Sequence, residues 1–410
     1  MNEEKSEAIW LGSAKQSTSK PLGIKWPGVV KVLGIYISYD TDKSIKKNYS
    51  EKINNMKQKL TMWRRRNLTI AGKILILKTF GISQILYLSS VLSVPEWALK
   101  EINKTMNEFL WNGKHNKVKA NVVIQNIERG GYNMCDLESM CKIQHIKWVK
   151  KYFDKSEASW KFTFASLMKN INLNYFLMSD YSEGMIPQHS VFYKDMLKTL
   201  NEVRKKSTCA SDMFNEILWY NRHILRSGQP LYSSKLAKAG LYRVHDVIDH
   251  NANNIPFQLL AENIKAETNI LFWNGLIRSI PRSWKNLIKI ENRIIGQQSF
   301  IIPIEINSIT KDLTNVNLKL LYEELVRKKL DVSKANVDYS NEYNINDEKW
   351  KLIYKLPHTI KISNKIKELQ YKILHGYVAT NKLLYKIKQI GSPRCDFCFL
   401  YTQTIKHLFF

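Results

Sequence analysis

Cys395 and Cys398 form a C-x2-C pair just after the turn Gly391-Ser392-Pro393, and His407 follows nine residues behind the second thiol. Thiolates and an imidazole at this spacing are the donor set of a zinc knuckle, and structural zinc is closed by four N/S donors. Three donors so close to Phe410 lead to the expectation of an incomplete zinc site, with a further cysteine due shortly after that position. The plain alternative is two free thiols beside an exposed imidazole. Two other groupings are weaker. His245 and Asp249 would share one face of a helix, but a capped, solvated segment explains them as well. Asp40-Thr41-Asp42 reads as a polar turn rather than a carboxylate metal site.

A second kind of chemistry is carried by charge. The chain has 63 Lys and Arg against 36 Asp and Glu, for a net charge of +27. Between Lys43 and Lys78 stand eleven basic residues, among them Lys57, Arg64, Arg65, Arg66 and Lys73, and a single acid, Glu51. An excess of this size points to a polyanionic partner, and contacts to phosphates from such a surface are salt-sensitive and indifferent to sequence. A solvated helix face is the usual fate of a charge run. Here Arg64-Arg65-Arg66 adjoin Trp63 and precede an apolar helix, so they should ride on a rigid element.

The elements that must position these groups follow from periodicity. Tyr49, Ile53, Met56, Leu60 and Trp63 recur at helical spacing on one face. Thr69 is placed to cap a second helix from Ile70 to about Leu92, and Pro95 opens a third that ends near Asn112-Gly113. Ahead of them, Ala8–Leu11 and Val29–Ile37 read as strands, the latter broken at Gly34. Gly130-Gly131 marks a turn, residues 140 to 340 alternate helices with polar connectors, and helices near Trp350, Ile366 and Lys382 lead to the cysteine pair. The tryptophans read as core, and Cys135, Cys141 and Cys209 as buried small apolar groups. The fold expected is mainly α with a small N-terminal β element. Five scattered cysteines argue for a reducing compartment, no secretory signal opens the chain, and the uncharged run Thr79–Pro95 falls short of a typical span of about 20 residues. These features lead to an intracellular chain, nuclear or cytoplasmic, with no membrane segment.

In order along the chain, these blocks resemble the carboxy-terminal half of a non-LTR (LINE-type) retrotransposon reverse transcriptase. Residues 2–12, with Lys5, are similar to a palm motif that follows the catalytic strand. Val32-Leu33-Gly34-Ile35-Tyr36-Ile37 is similar to the primer-grip hairpin. Trp63 through Lys73 resembles the thumb segment, and Phe109-Leu110-Trp111-Asn112-Gly113-Lys114 with Gly130-Gly131-Tyr132 resembles the pattern just beyond it. Trp350, His375-Gly376, and Cys395 through His407 resemble the terminal zinc-binding module.

The resemblance implies an α+β palm remnant over 1–42, a helical thumb bundle over 43–95, a helical connector over 96–340 and a truncated zinc-binding module over 341–410. It also implies binding of template RNA and primer DNA through Lys5, Leu33, Gly34, Lys57, Arg64, Arg65, Arg66 and Lys73, with zinc on Cys395, Cys398 and His407. The Mg²⁺ ions of such polymerases sit on palm carboxylates that include an adjacent Asp-Asp. This sequence has no Asp-Asp pair, so no catalytic residue is assigned, Mg²⁺ is expected only in the full-length enzyme, and polymerase activity is not expected of this chain alone. The alternative function is a standalone, non-enzymatic, zinc-containing nucleic-acid-binding protein.

Overall fold

A polar N-cap at Asp40 starts the element on which the first half of the chain is built. Its carboxylate accepts from the Lys43 amide at 3.0 Å, so Asp40-Thr41-Asp42 is a helix start, and helix α1 runs over Thr41–Arg64. The computed structural model describes residues 6–113, 116–187, 190–258, 270–291, 300–330 and 343–409. They fall into two compact units: Met1–Cys141 with Val326–Phe410, and Lys142–Leu325.

In the first unit, α1 buries Tyr49, Ile53, Met56 and Leu60 on the expected stripe, while Trp63 is half-buried. Thr69 caps α2 as expected, its hydroxyl accepting from the Gly72 amide. Helix α2 spans Ile70–Ser89, with a π-helical stretch at Leu77–Ile82. By length and composition it is apolar enough to cross a membrane; Ile70, Ile74, Ile76, Leu77, Ile82, Ile85 and Leu88 are buried in protein, while Leu75, Phe80 and Tyr87 stand exposed. A Cβ on Gly81 would lie 3.1 Å from the Met56 methyl, so the small residue lets α1 and α2 approach closely. Helix α3, Glu96–Leu110, adds Ala98, Ile102, Met106, Phe109 and Leu110 to the same core. Val122, Val123, Met134, Leu137 and Cys141 join it, as do Tyr371 and Tyr377. The bundle therefore does not end at residue 95: elements expected in the connector and in the terminal module share its apolar interior.

Strands β1, Val29–Val32, and β2, Ile35–Ser38, pair antiparallel around a two-residue turn. Leu33 and Gly34 both have positive φ, 49° and 81°, the requirement of the hairpin turn that twists with its strands. Asn48 of α1 fixes the hairpin by accepting from the Tyr36 amide and donating to the Tyr36 carbonyl, each at 2.8 Å. The strand expected at Ala8–Leu11 is absent. Only an isolated bridge, Glu7 to Lys25, forms, beside stacked Trp10 and Trp26, because no neighbouring strand supplies a ladder.

The second unit is helical around a separate core that includes Trp219, Phe164, Phe176 and Tyr181. Two small hairpins add to it, Leu225–Arg226 with Gln229–Pro230 and Pro303–Ile306 with Ile309–Asp312. The whole is mainly α with small two-stranded β elements. Two smaller expectations are corrected: Trp97 is 42% exposed rather than core, and His245 sits in a single 3-10 turn, Val244–Asp246, not on a helix with Asp249. Asp249 instead accepts from the amides of Asn251 and Asn253, closing its own turn.

Candidate metal centre and nucleic-acid interface

The metal centre is built by a tight loop between the helices Asn381–Lys386 and Ile405–Phe409. The Cys395 amide donates to the Tyr401 carbonyl at 2.8 Å and the Phe399 amide to the Cys395 carbonyl at 2.9 Å, which folds the C-x2-C segment back on itself. Phe399 takes a φ of 57° to complete the turn. The donor atoms of Cys395, Cys398 and His407 all lie within 4.8 Å of one another, and Cys398 Sγ is 3.3 Å from His407 Nε2. Zinc–sulfur and zinc–nitrogen bonds of about 2.3 and 2.0 Å give donor–donor separations of this order, so the three residues fit one ion. Among the described residues they form the one such cluster of three His, Cys, Asp or Glu donors.

The electrostatics favour a bound cation. Burial would raise the Cys395 thiol, but the amides of Cys398 and Phe397, the Gln403 side chain and His407 bring it down to about 6. These donors favour the thiolate form that a metal ligand requires. Gln403 had no place in the sequence expectation. It is 5% exposed, its amide nitrogen points at Cys395 Sγ from 3.7 Å, and its oxygen accepts from the Asn381 amide at 2.9 Å. Asn381 in turn donates to the Arg394 carbonyl at 2.7 Å. Gln403 thereby ties the thiol loop to the preceding helix, and only its position between Cys398 and His407 signalled it. Phe397, Phe399, Leu400 and Tyr401 stand exposed on the loop's outer side.

The cationic surface lies at the C-terminal end of α1. Arg64 closes the helix, Arg65 and Arg66 follow it, and all three are exposed. No carboxylate pairs with them among the described residues. Arg66 rests over the Trp63 ring, 5.1 Å from its centre, and Trp63 in turn packs against Phe80 of α2. The charges are therefore displayed from a fixed base.

The other expected contacts are placed differently. Lys57 is ion-paired with Glu101 of α3, which offsets its charge. Lys73 points inward: it is 6% exposed, and its ammonium donates to the Leu110 carbonyl at 2.9 Å and to Asn112 Oδ1 at 2.8 Å. There it satisfies a carbonyl left open at the end of α3. Burial first, then Arg64 and Lys372, lowers its pKa, with Glu368 working in the opposite direction. Leu33 is 86% exposed at the hairpin tip with Gly34 beside it, and its carbonyl accepts from the Tyr87 hydroxyl of α2 at 2.6 Å. Lys5 lies outside the described residues.

Over 266 residues the chain is 27% identical to the Transposon TX1 uncharacterized 149 kDa protein of Xenopus laevis, an alignment covering 61% of this chain and 20% of that protein. The chain thus spans about a fifth of the length of this curated relative. No family model matches it. The likeness ties the chain to a transposon protein.

Proposed function

We propose that this chain is the thumb-and-tail portion of a non-LTR retrotransposon reverse transcriptase, and that it holds template RNA and primer DNA by their phosphate backbones. The reading is supported by the order of the sequence blocks, by the likeness to a transposon protein, and by the Leu33-Gly34 hairpin braced on α1 and α2. The observation that carries it is the set Arg64, Arg65 and Arg66, displayed from a rigid helix end with no acidic partner among the described residues. Guanidinium groups so placed have phosphate as their natural ligand. Cys395, Cys398 and His407 would hold zinc, whose contribution is structural: it would pin the loop that carries Phe397, Phe399 and Tyr401, aromatic faces suited to stacking on unpaired bases.

The test is binding of a labelled RNA–DNA hybrid by the purified chain between roughly 50 and 200 mM salt. A steep, linear fall of log affinity with log salt, the same for unrelated sequences, is expected. Absent or salt-independent binding would remove the assignment.

A further inference from the structure

A second cationic feature adjoins Arg64, whose charge acts on Lys73 within it. A cleft of about 490 Å³ opens between the start of α2, the end of α3 and the helix Asn364–Leu374. Lys73 and Asn112 line it from one side, Lys365, Glu368 and Lys372 from the other, and Lys117 from the segment after α3. The ammonium of Lys73 has two neutral oxygens as its hydrogen-bond partners, which leaves one of its three protons undirected. Glu368, the lone acid of the lining, is already paired with Lys372 at 2.8 Å. Lys117 and Lys365 are exposed, with no carboxylate partner among the described residues. The lining therefore carries a surplus of positive charge around a space large enough for a phosphate and its sugar.

We propose that this cleft is a second phosphate seat, taking one phosphodiester of the strand gripped by Arg64–Arg66, so that the helix Asn364–Leu374 contributes to nucleic-acid binding. The proposal rests on the nucleic-acid reading above, and it assigns the terminal helices a binding role besides carrying the metal loop. A lysine contact to a backbone phosphate contributes a salt slope of about 0.9, a factor of roughly 5 in affinity at 0.15 M salt.

The test compares the double variant Lys117→Gln/Lys365→Gln with the charge-matched control Lys289→Gln/Lys319→Gln, two exposed lysines of the other unit, on one labelled RNA–DNA hybrid. The cleft variant should bind about 30-fold more weakly at 0.15 M salt with its slope reduced by about 2, and the control should stay within about twofold of the parent. Glu368→Gln should bind more tightly than the parent, a gain that misfolding cannot imitate. Equal losses in the cleft variant and the control would show general charge attraction and overturn the seat. So would an unchanged cleft variant on a parent that binds, or weaker binding by Glu368→Gln. A parent that does not bind the hybrid at all would instead overturn the reading on which the seat rests.

Discussion

Replacing Arg64, Arg65 and Arg66 together by Gln separates phosphate gripping from structural support. All three side chains are exposed and none has a carboxylate partner among the described residues, so folding loses little. The contacts of note are Arg66 over Trp63 and the Arg64 guanidinium beside Gly113, and an exposed cation–π pair contributes about 0.5–1 kcal/mol. Stability to urea should therefore fall by no more than about 1 kcal/mol. Binding should respond far more strongly. Three phosphate contacts at a slope of about 0.9 each remove about 2.7 from the log–log salt dependence and lower affinity roughly 100- to 200-fold at 0.15 M salt. Fluorescence anisotropy with a labelled RNA–DNA hybrid across the salt range reads both quantities, and urea melts of the same samples read the first. A variant that keeps the parental salt slope, or one that loses about 3 kcal/mol of stability, would refute the reasoning, because the arginines would then be serving the fold.

Three further outcomes are expected. The parent should take up one zinc per chain, detectable by release to a chromogenic chelator; Cys395→Ser should abolish uptake, and Gln403→Ala should weaken it, since the Gln403 amide supports the Cys395 sulfur. His375, packed 4.1 Å from the Tyr371 ring centre, is held by burial at about 4 instead of its ordinary 6.5. The fold prefers its neutral form, so its share of stability is whole above pH 6.5 and is lost as pH falls toward 4, about 3 kcal/mol in all; denaturant melts should show the loss in the parent and a flatter profile in His375→Gln. Gly131→Ala should destabilise by about 3 kcal/mol or more, because the new Cβ would meet the Gln125 carbonyl oxygen at 1.9 Å; thermal melts decide.

Local signals were legible in the sequence where the cause is local. The Thr69 cap, the Pro95 start and the stripe from Tyr49 to Leu60 all follow from interactions within one turn or one face. The C-x2-C and His407 spacing likewise brought three donors together. What escaped was decided by distant partners. Lys73 belongs to a basic run, yet the open carbonyl of Leu110, thirty-seven residues away, draws it inward. Ala8–Leu11 has strand composition but no ladder to join. The hairpin Pro303–Ile306 with Ile309–Asp312 was missed, although its Asn307-Ser308 turn, with φ of 51° and 62°, stands between alternating apolar residues and carried a recognisable signal. The sharing of one core by α1, α2, α3 and Tyr371 depends on packing that periodicity does not report.

Arg64, Arg65 and Arg66 are proposed to touch the phosphate backbone. The most direct measurement is arginine modification by phenylglyoxal, mapped by peptide mass, with and without a saturating RNA–DNA hybrid. All three should react readily in the free protein and lose that reactivity in the complex, while exposed arginines of the 142–325 unit stay unchanged. Equal modification of the three in free and bound protein, with the hybrid demonstrably bound, would contradict the account.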